Sequence, residues 1–336
     1  MTLPPPAHGA WDSAYHAPVM VAEVLDFLAA RPLVLDCTLG GGGHSAALLD
    51  AGSRVIAVDR DPSALAAASA RLADAARAGR FAAYAGNYAH LDRIDALAGA
   101  RFDGILLDLG ISSHQIDATD RGFSFRPGAA LDMRMGEDAM GDAAALLNDA
   151  PVEELARIFR DYGDERHALR LAREVARRRE RRPFAVADDL VAAIRATLGP
   201  RAGSAEFARL FQAVRIAVND ELAGLERALP ALRDRLRPEG VLVVIAYHSG
   251  EDRLVKHAFR EWSASCICPP RQPVCTCRGR ALGETLTRRA LAPTAAEVAH
   301  NSRARSARLR AWRSAAERDA AGRNATWRSD AWPSDA

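Results

Sequence analysis

The sequence predicts an α/β fold with a Rossmann-like sheet and an inserted all-helical subdomain. Three observations support this prediction. A glycine-rich turn joins an apolar run to a helical segment at 34–45, short apolar runs then alternate with helical segments, and residues 137–204 show helical patterns without strand patterns. Short apolar runs between helices are typical of parallel strands that are buried on both faces.

The first strand and its turn lie in the segment VLDCTLGGGGHS, residues 34–45. The apolar run ends at Asp36, four consecutive glycines follow, and a helix is predicted to begin near His44. Glycines let the backbone approach a ligand where side chains would collide. Strand, glycine turn and helix are typical of a nucleotide-binding βαβ unit, although many glycine-rich loops are plain turns.

An acidic residue follows the second predicted strand, residues 54–58. Asp59 lies about 20 residues after the glycine turn, the spacing at which a carboxylate binds ribose hydroxyls. The alternative is an ordinary acidic residue at the end of a strand. Asp36 beside the turn favours S-adenosylmethionine over a dinucleotide, because a carboxylate would attract its positive groups and repel a pyrophosphate.

Further candidate residues follow the later strands. Tyr88 comes after the third strand and could stack on an adenine, or could be an ordinary loop aromatic. Asp108 ends the fourth strand among apolar residues, where an unpaired charge is costly, so we expect it to have a partner. His248 follows the fifth strand, 241–247, as a polar wall residue of the site or as a structural histidine.

Two segments could contact RNA. Phe123, Phe125 and Arg134 lie where aromatic and arginine residues are interleaved, a pattern that can stack bases and bind phosphates; the alternative is a packed loop. The second helix of the insertion carries an arginine cluster that includes Arg177 and Arg178. Such a cluster is usually a solvated face, but it would contact phosphates if the partner is RNA.

Composition sets broad limits on function. The net charge of +2 does not indicate a general nucleic-acid-binding protein, so local arginine clusters matter more than the sum. No apolar run is long enough to span a bilayer, and the first residues lack a secretory pattern. We therefore expect a cytoplasmic protein that does not bind membranes.

Four of the five cysteines lie close together in the sequence, as two C-x-C pairs at 266–268 and 275–277. They could bind zinc at the end of a hairpin, but paired zinc ligands are usually separated by two to four residues. The spacing therefore favours reduced structural thiols, and no metal site is predicted.

Ten segments together resemble the MraW/RsmH family of S-adenosylmethionine-dependent methyltransferases of small-subunit ribosomal RNA. They run in order from about residue 16 to 312: HAPVMVAE, DCTLGGGGHS, AVDRDPSAL, GILLDLGISSHQID, RGFSF, LDMRM, FRDYGDERHA, FQAVRIAVNDEL, HSGEDRLVK and NSRARSARLR. The resemblance implies a class I methyltransferase sheet and methylation of the N4 amine of a cytosine in the decoding region of 16S ribosomal RNA.

The resemblance also implies roles for individual residues. The implied cofactor contacts are Gly42, Gly43, His44, Asp59, Tyr88, Asp108 and Gln115. The candidates for accepting hydrogen bonds from the target amine are Asp108, Ser112 and Ser113. The chain departs from the family pattern at His114, Gly250 and Ser302, none of which is an implied cofactor contact.

The predicted organisation has five parts. They are a disordered N-terminus at 1–15, a first methyltransferase part at 16–136, a helical insertion for RNA recognition at 137–204, a second methyltransferase part with the cysteine hairpin at 205–312, and a disordered tail at 313–336. Two other functions remain open: a nicotinamide-dependent oxidoreductase, which the absence of a spaced G-x-G-x-x-G disfavours, and a non-catalytic RNA-binding protein.

Overall fold

The computed structural model describes residues 11–13, 17–29 and 31–316. The described residues divide into two compact units: unit 1 comprises those up to 110 and from 225 onward, and unit 2 comprises 111–224. The helical insertion predicted over 137–204 lies within unit 2, which begins earlier and ends later. Of the predicted disordered segments, only 11–13 and 313–316 are among the described residues. Arg313 and Ser314 belong to a strand.

Unit 1 contains a seven-stranded sheet in the order β3-β2-β1-β4-β5-β7-β6. The strands are β1 (Leu33–Asp36), β2 (Arg54–Asp59), β3 (Phe81–Ala85), β4 (Phe102–Asp108), β5 (Leu236–Ala246), β6 (Gly283–Thr285) and β7 (Arg308–Ser314). Strands β1 to β5 are parallel, and β7 pairs antiparallel with β5 and β6. The strand order reverses between β1 and β4, where ligands of open α/β sheets bind beyond the strand ends.

The helices of the described residues follow the strands in the alternation that the sequence predicts. They are α1 (Val21–Leu28), α2 (Gly43–Asp50), α3 (Pro62–Arg71), α4 (Ala73–Arg77), α5 (Ser113–Asp117), α6 (Ala143–Asp149), α7 (Val152–Asp161), α8 (Ala168–Arg179), α9 (Ala187–Leu198), α10 (Ser204–Asn219), α11 (Glu221–Asp234), α12 (Ser249–Ser263) and α13 (Ala295–His300). In these residues, no helix is long and apolar enough to cross a membrane.

The central strands are apolar on both faces because both faces are covered. Alternate side chains of a strand point to opposite sides of a sheet. Accordingly, Leu35 and Ile105 belong to one buried apolar cluster of unit 1, whereas Val34 and Leu106 belong to another. This double burial explains why the strands appear in the sequence as continuous apolar runs.

Three segments differ from the elements that their sequence patterns predict, which are one long helix over 205–227, a turn at 235–240 and a returning strand over 282–293. The helix predicted over 205–227 is divided into α10 and α11, because Asp220 adopts a left-handed conformation with φ 52°. The turn predicted at 235–240 is the first half of β5, which pairs with β4 from Leu236 onward. The returning strand predicted over 282–293 is limited to β6, with one isolated bridge at Leu291.

The sequence pattern of 301–310 indicates a short basic segment and does not predict strand β7. Buried Leu309 and Ala311 alternate with Arg308 and Arg310, which is the period of a strand. The guanidinium of Arg310 donates to Asp252 at 2.7 and 3.0 Å. This ion pair compensates the charge of an arginine side chain that is only 12% exposed.

Candidate functional site

The glycine turn between β1 and α2 has a conformation that few other residues could adopt. Gly42, directly before α2, has φ 73°, a left-handed value that is costly for residues with a side chain. A Cβ on Gly43 would lie 2.7 Å from Cγ of Pro18, closer than atoms can pack. At Gly42 and Gly43, therefore, no side chain covers the backbone at the N-terminus of α2.

Asp59 at the end of β2 holds this turn in place. Its two carboxylate oxygens accept hydrogen bonds from the backbone N–H groups of Gly40, at 2.8 Å, and Asp61, at 2.9 Å. Burial raises the pKa of Asp59 to about 6, although the two N–H groups act in the opposite direction. A carboxylate offers about four lone-pair sites, so each oxygen retains one for a ligand hydroxyl.

Asp36 at the end of β1 supports the turn from inside. Its carboxylate accepts hydrogen bonds from the Ser45 hydroxyl at 2.7 Å and the Thr38 N–H at 3.1 Å. The residue is only 1% exposed, and burial raises its pKa. The sequence suggested that Asp36 attracts the positive groups of a cofactor directly, whereas the structure shows a buried carboxylate that orients the turn.

Asp108 at the end of β4 has the partners that its position required. Its backbone N–H donates to the Thr38 hydroxyl at 2.7 Å, and its carboxylate accepts the Tyr247 hydroxyl at 2.9 Å. The second carboxylate oxygen lies 3.7 Å from Nδ1 of His44. Burial raises the pKa of Asp108 to about 6, opposed by His44 and the Tyr247 hydroxyl. The prediction that this charge has a partner is confirmed.

A backbone contact fixes which ring nitrogen of His44 carries a hydrogen. Nε2 of His44 lies 2.9 Å from the carbonyl oxygen of Val19, and a carbonyl oxygen can only accept, so Nε2 carries a hydrogen. In a neutral ring Nδ1 is then a bare acceptor facing a carboxylate. A proton on either Nδ1 or the Asp108 carboxyl removes this repulsion.

The residues around the end of β5 include Tyr247 and Glu251, which the sequence did not indicate as candidate site residues. Burial raises the pKa of Tyr247 well above its usual value, so it remains a hydroxyl donor to Asp108. Buried Glu251 accepts the backbone N–H groups of Tyr247 and His248 at the start of α12, at 2.8 and 3.2 Å. His248 with a glutamate three residues later is a capping-type spacing that could have indicated this contact.

Tyr88 begins a short 3-10 helix, 88–93, after β3. Its side chain is half-buried and packs against an apolar cluster of unit 1. Gly86 precedes it, where a Cβ would lie 2.6 Å from Cδ1 of Ile94. The aromatic ring is thus held near the end of β3, next to the strand that carries Asp59.

Ser112, Ser113 and Gln115 belong to unit 2, and two of them form a capping box at the start of α5. The Ser112 hydroxyl accepts the Gln115 N–H at 3.2 Å, and the Gln115 side-chain oxygen accepts the Ser112 N–H at 2.9 Å. The spacing S-x-x-Q is a capping signal in the sequence itself. The catalytic and cofactor roles of these residues stay predictions.

The structure gives the two candidate phenylalanines a packing role. Phe123 is buried in the apolar cluster of unit 2, and Phe125 packs edge-on against Phe207 and Phe211 with ring centroids 5.8 and 6.0 Å apart. A buried ring has no free face on which a base could stack. Both rings therefore have the packed-loop role that the sequence left open as the alternative, and a role of either ring in RNA binding stays a prediction.

The candidate arginines each pair with a nearby carboxylate of unit 2. Arg134 makes a bidentate contact with Asp132 at 2.8 and 2.7 Å. Arg177 and Arg178 both bind Glu174, at 2.7 and 2.6 Å. Arg134 and Arg177 remain about half exposed, so these pairs leave cationic groups in contact with solvent.

Comparison with known proteins identifies the family. Residues 13–315, nearly the whole chain, match the MraW methylase family. The chain belongs to this family. Ribosomal RNA small subunit methyltransferase H of Gemmatimonas aurantiaca is 65% identical over 292 residues, 87% of this chain and 93% of that protein. The protein of the same name from Heliobacterium modesticaldum is 47% identical over 302 residues, 87% and 96% of the two chains.

Membership in the MraW family confirms the resemblance seen in the sequence. The predicted fold class, a Rossmann-like α/β methyltransferase sheet, is confirmed as well, because the chain forms a mixed seven-stranded sheet with flanking helices. The alternative of a nicotinamide-dependent oxidoreductase finds no support in this family.

Proposed function

We propose that this chain transfers a methyl group from S-adenosylmethionine to small-subunit 16S ribosomal RNA, and that the acceptor is the N4 amine of a cytosine in the decoding region. One observation carries the proposal: Asp59, Asp36 and Asp108 end three adjacent parallel strands around a single glycine turn. The relatives in the MraW family are named as small-subunit ribosomal RNA methyltransferases. Such a substrate implies a cytoplasmic enzyme.

The residues of unit 1 fit the methyl donor. Asp59 retains lone pairs for two ribose hydroxyls, and Tyr88 offers an aromatic face for the adenine. Gly42 and Gly43 leave room for the ligand beside the first N–H groups of α2, which suit its carboxylate. Gln115, which belongs to unit 2, is proposed as a further cofactor contact. When bound, the donor supplies a methyl group on a positively charged sulfur.

Asp108 and His44 are proposed to control charge beside the reacting groups. An ionised Asp108 would stabilise a positively charged ligand group in a buried site, where electrostatic interactions are strong. Tyr247 and Thr38 fix the orientation of this carboxyl group. Because the pKa of Asp108 is raised to about 6, we expect its carboxyl group to be ionised at neutral pH.

The acceptor amine requires orientation and a hydrogen-bond acceptor. Its lone pair is delocalised into the ring, so the nitrogen must be aligned with the methyl group, and its proton must leave to a base. Asp108, Ser112 and Ser113 are the proposed acceptors. Many amino-methyltransferases have a Pro-Pro-aromatic motif after this acidic position, but this chain has Leu109, Gly110 and Ile111, so a backbone carbonyl is an alternative acceptor.

The RNA must present its cytosine unstacked. A base within a helix cannot bring its amine in line with a methyl donor, so the target is single-stranded or flipped out. Arg134, Arg177 and Arg178 are proposed to bind phosphates, because Arg134 and Arg177 keep about half of their side-chain surface in solvent and Arg178 a third. Their contribution would be dependent on salt.

The decisive experiment is methyl transfer from labelled S-adenosylmethionine to small ribosomal subunits from cells that lack this activity. The RNA is then digested and its nucleosides are identified by mass spectrometry. We expect label in N4-methylcytidine, mapped to the decoding region. Label in another nucleoside would contradict the proposed acceptor, and binding of the methyl donor without any transfer, on both naked RNA and subunits, would indicate a non-catalytic RNA-binding protein.

A further inference from the structure

Four cysteines of unit 1 converge on one point between α12 and β6. The sulfur atoms of Cys266, Cys268, Cys275 and Cys277 all lie within 4.8 Å of one another. Four of their separations are 3.8 Å (266–275), 3.9 Å (268–275), 3.5 Å (275–277) and 3.8 Å (277–266). The four thiols are therefore arranged as a compact cluster and not as separate side chains along a hairpin.

These separations match those of a tetrahedral metal site. Zinc–sulfur bonds are about 2.3 Å long, and a tetrahedron with bonds of that length has edges of about 3.8 Å. A disulfide would instead require two sulfurs at about 2.05 Å, and all four cysteines are free. The cluster thus has the size of a metal-centred tetrahedron, and no disulfide joins its sulfur atoms.

Burial of apolar surface does not explain the cluster. Cys266 and Cys275 are exposed, and the nearby apolar residues Ile267 and Val274 are 45% and 69% exposed. Residues 264–282 form no helix or strand, and irregular segments of this length are uncommon in compact domains and are usually functional or disordered. The segment therefore has no buried apolar residues of its own that could hold it together.

The surrounding groups suit thiolates held around a cation. The backbone N–H of Ile267 donates to the sulfur of Cys277 at 3.3 Å, the kind of outer contact that orients a metal ligand. Arg278 donates to the backbone carbonyls of Glu261 and Ala264 and so fixes one end of the segment to the end of α12. The arginines at 271, 278 and 280 offset the net negative charge of four thiolates and one divalent cation.

We propose that Cys266, Cys268, Cys275 and Cys277 bind one zinc ion. Four sulfur ligands fill the tetrahedral coordination of Zn²⁺ and leave no open position, so the site is structural. The ion replaces four thiol protons, which are released to solvent on binding. The short C-x-C spacing argues against zinc in the sequence alone, but the turn between the two pairs brings all four sulfurs together.

The test uses reduced, chelator-treated full-length protein in the absence of RNA and methyl donor. Zn²⁺ is titrated in competition with a chromophoric chelator, and Co²⁺ is titrated as a spectroscopic probe. We expect one ion per chain with an affinity tighter than about micromolar, and a sulfur-to-cobalt charge-transfer band. The readout is independent of methyl transfer, so it succeeds or fails separately from the proposed function.

Matched variants distinguish the cluster from the fifth cysteine. Cys268→Ser with Cys277→Ser should abolish stoichiometric binding and the charge-transfer band, whereas Cys37→Ala, which lies outside the cluster, should retain both. Circular dichroism establishes that each variant is folded. The proposal would be overturned if the reduced wild-type protein bound neither ion, or if the double variant bound zinc equally well. It would also be overturned if the purified protein held two disulfides, or stoichiometric iron in place of zinc.

Discussion

Asp108 and Asp59 of unit 1 have polar partners that lie farther along the chain than those of Ser112 and Arg134 of unit 2. In unit 1, Asp108 binds Tyr247, 139 residues away, and Asp59 binds Gly40, 19 residues away. In unit 2, Ser112 binds Gln115 and Arg134 binds Asp132, three and two residues away. Polar contacts between residues that are distant in sequence carry a larger entropy cost of loop closure. In this protein they lie in the proposed site.

Residues whose polar partners are distant in sequence can assemble a site, whereas residues that bind near neighbours can simply stabilise a helix end or a turn. A contact between neighbours in sequence can be explained by a helix cap or by a helix-surface ion pair. Asn219 is an instructive case in unit 2, because it contacts Met133 and Met135 across more than 80 residues and holds the 133–135 loop. That contact is long-range, but its partners are backbone groups of a packed loop.

The largest expected effect is at Asp59. Asp59→Ala removes the acceptor for two backbone N–H groups and for the proposed ribose hydroxyls, so S-adenosylmethionine should bind about 100-fold more weakly, or about 3 kcal/mol. Isothermal titration calorimetry measures the change, with exposed Asp92→Ala as the control. Equal affinity in wild type and Asp59→Ala would remove the assignment of Asp59 to the cofactor.

A smaller effect is expected at Asp108, with a defined pH dependence. Burial raises its pKa to about 6, above the usual value of about 3.9. Between these values the unfolded chain has lost the proton that the folded chain retains, so stability falls as pH rises through this window. Asp108→Asn removes that loss, and its stability relative to wild type should rise by about 2 kcal/mol between about pH 4 and about pH 7.

Denaturant unfolding at the two pH values measures this difference. Asp92→Asn, on the exposed surface, serves as the control and should show no such change. A stability difference for Asp108→Asn that is the same at both pH values would mean that folding does not raise the pKa of this carboxyl group.

A local effect is expected at Ser112. Ser112→Ala removes the helix cap and should cost about 1 kcal/mol of stability, while Ser112→Thr should preserve most of it. Thermal unfolding and the rate of methyl transfer are measured together on all three proteins. A large loss of kcat in Ser112→Ala at temperatures where the variant is fully folded would favour the catalytic role over the cap.

The smallest effect on the fold is expected at Arg178. Arg178→Ala breaks a partly exposed pair with Glu174, so stability should change by less than about 0.5 kcal/mol, and affinity for S-adenosylmethionine should be unchanged. Affinity for RNA should fall, and its dependence on salt should weaken by about one counterion. Unchanged RNA affinity over a range of salt concentrations would assign this arginine to the solvated face of α8.

The sequence predicted the parts of the site that depend on local pattern. The ends of β1, β2 and β4 were found because apolar runs terminate in Asp36, Asp59 and Asp108. Tyr247 was not connected to Asp108, since nothing in a linear pattern pairs two strand ends separated by unit 2. For the same reason, the spacing of the cysteines argued against a cluster that their positions in space support.

The position of unit 2 in the chain also affects how the protein is made. β4 and β5 are neighbouring parallel strands, yet the chain leaves unit 1 at Gly110 and returns at Leu225. During synthesis, the first four strands emerge long before β5 can join them. If unit 2 folds first, it shortens the effective loop that must close and lowers its entropy cost. Until then the edge of β4 is unpaired, and a nascent chain at this stage is exposed to aggregation.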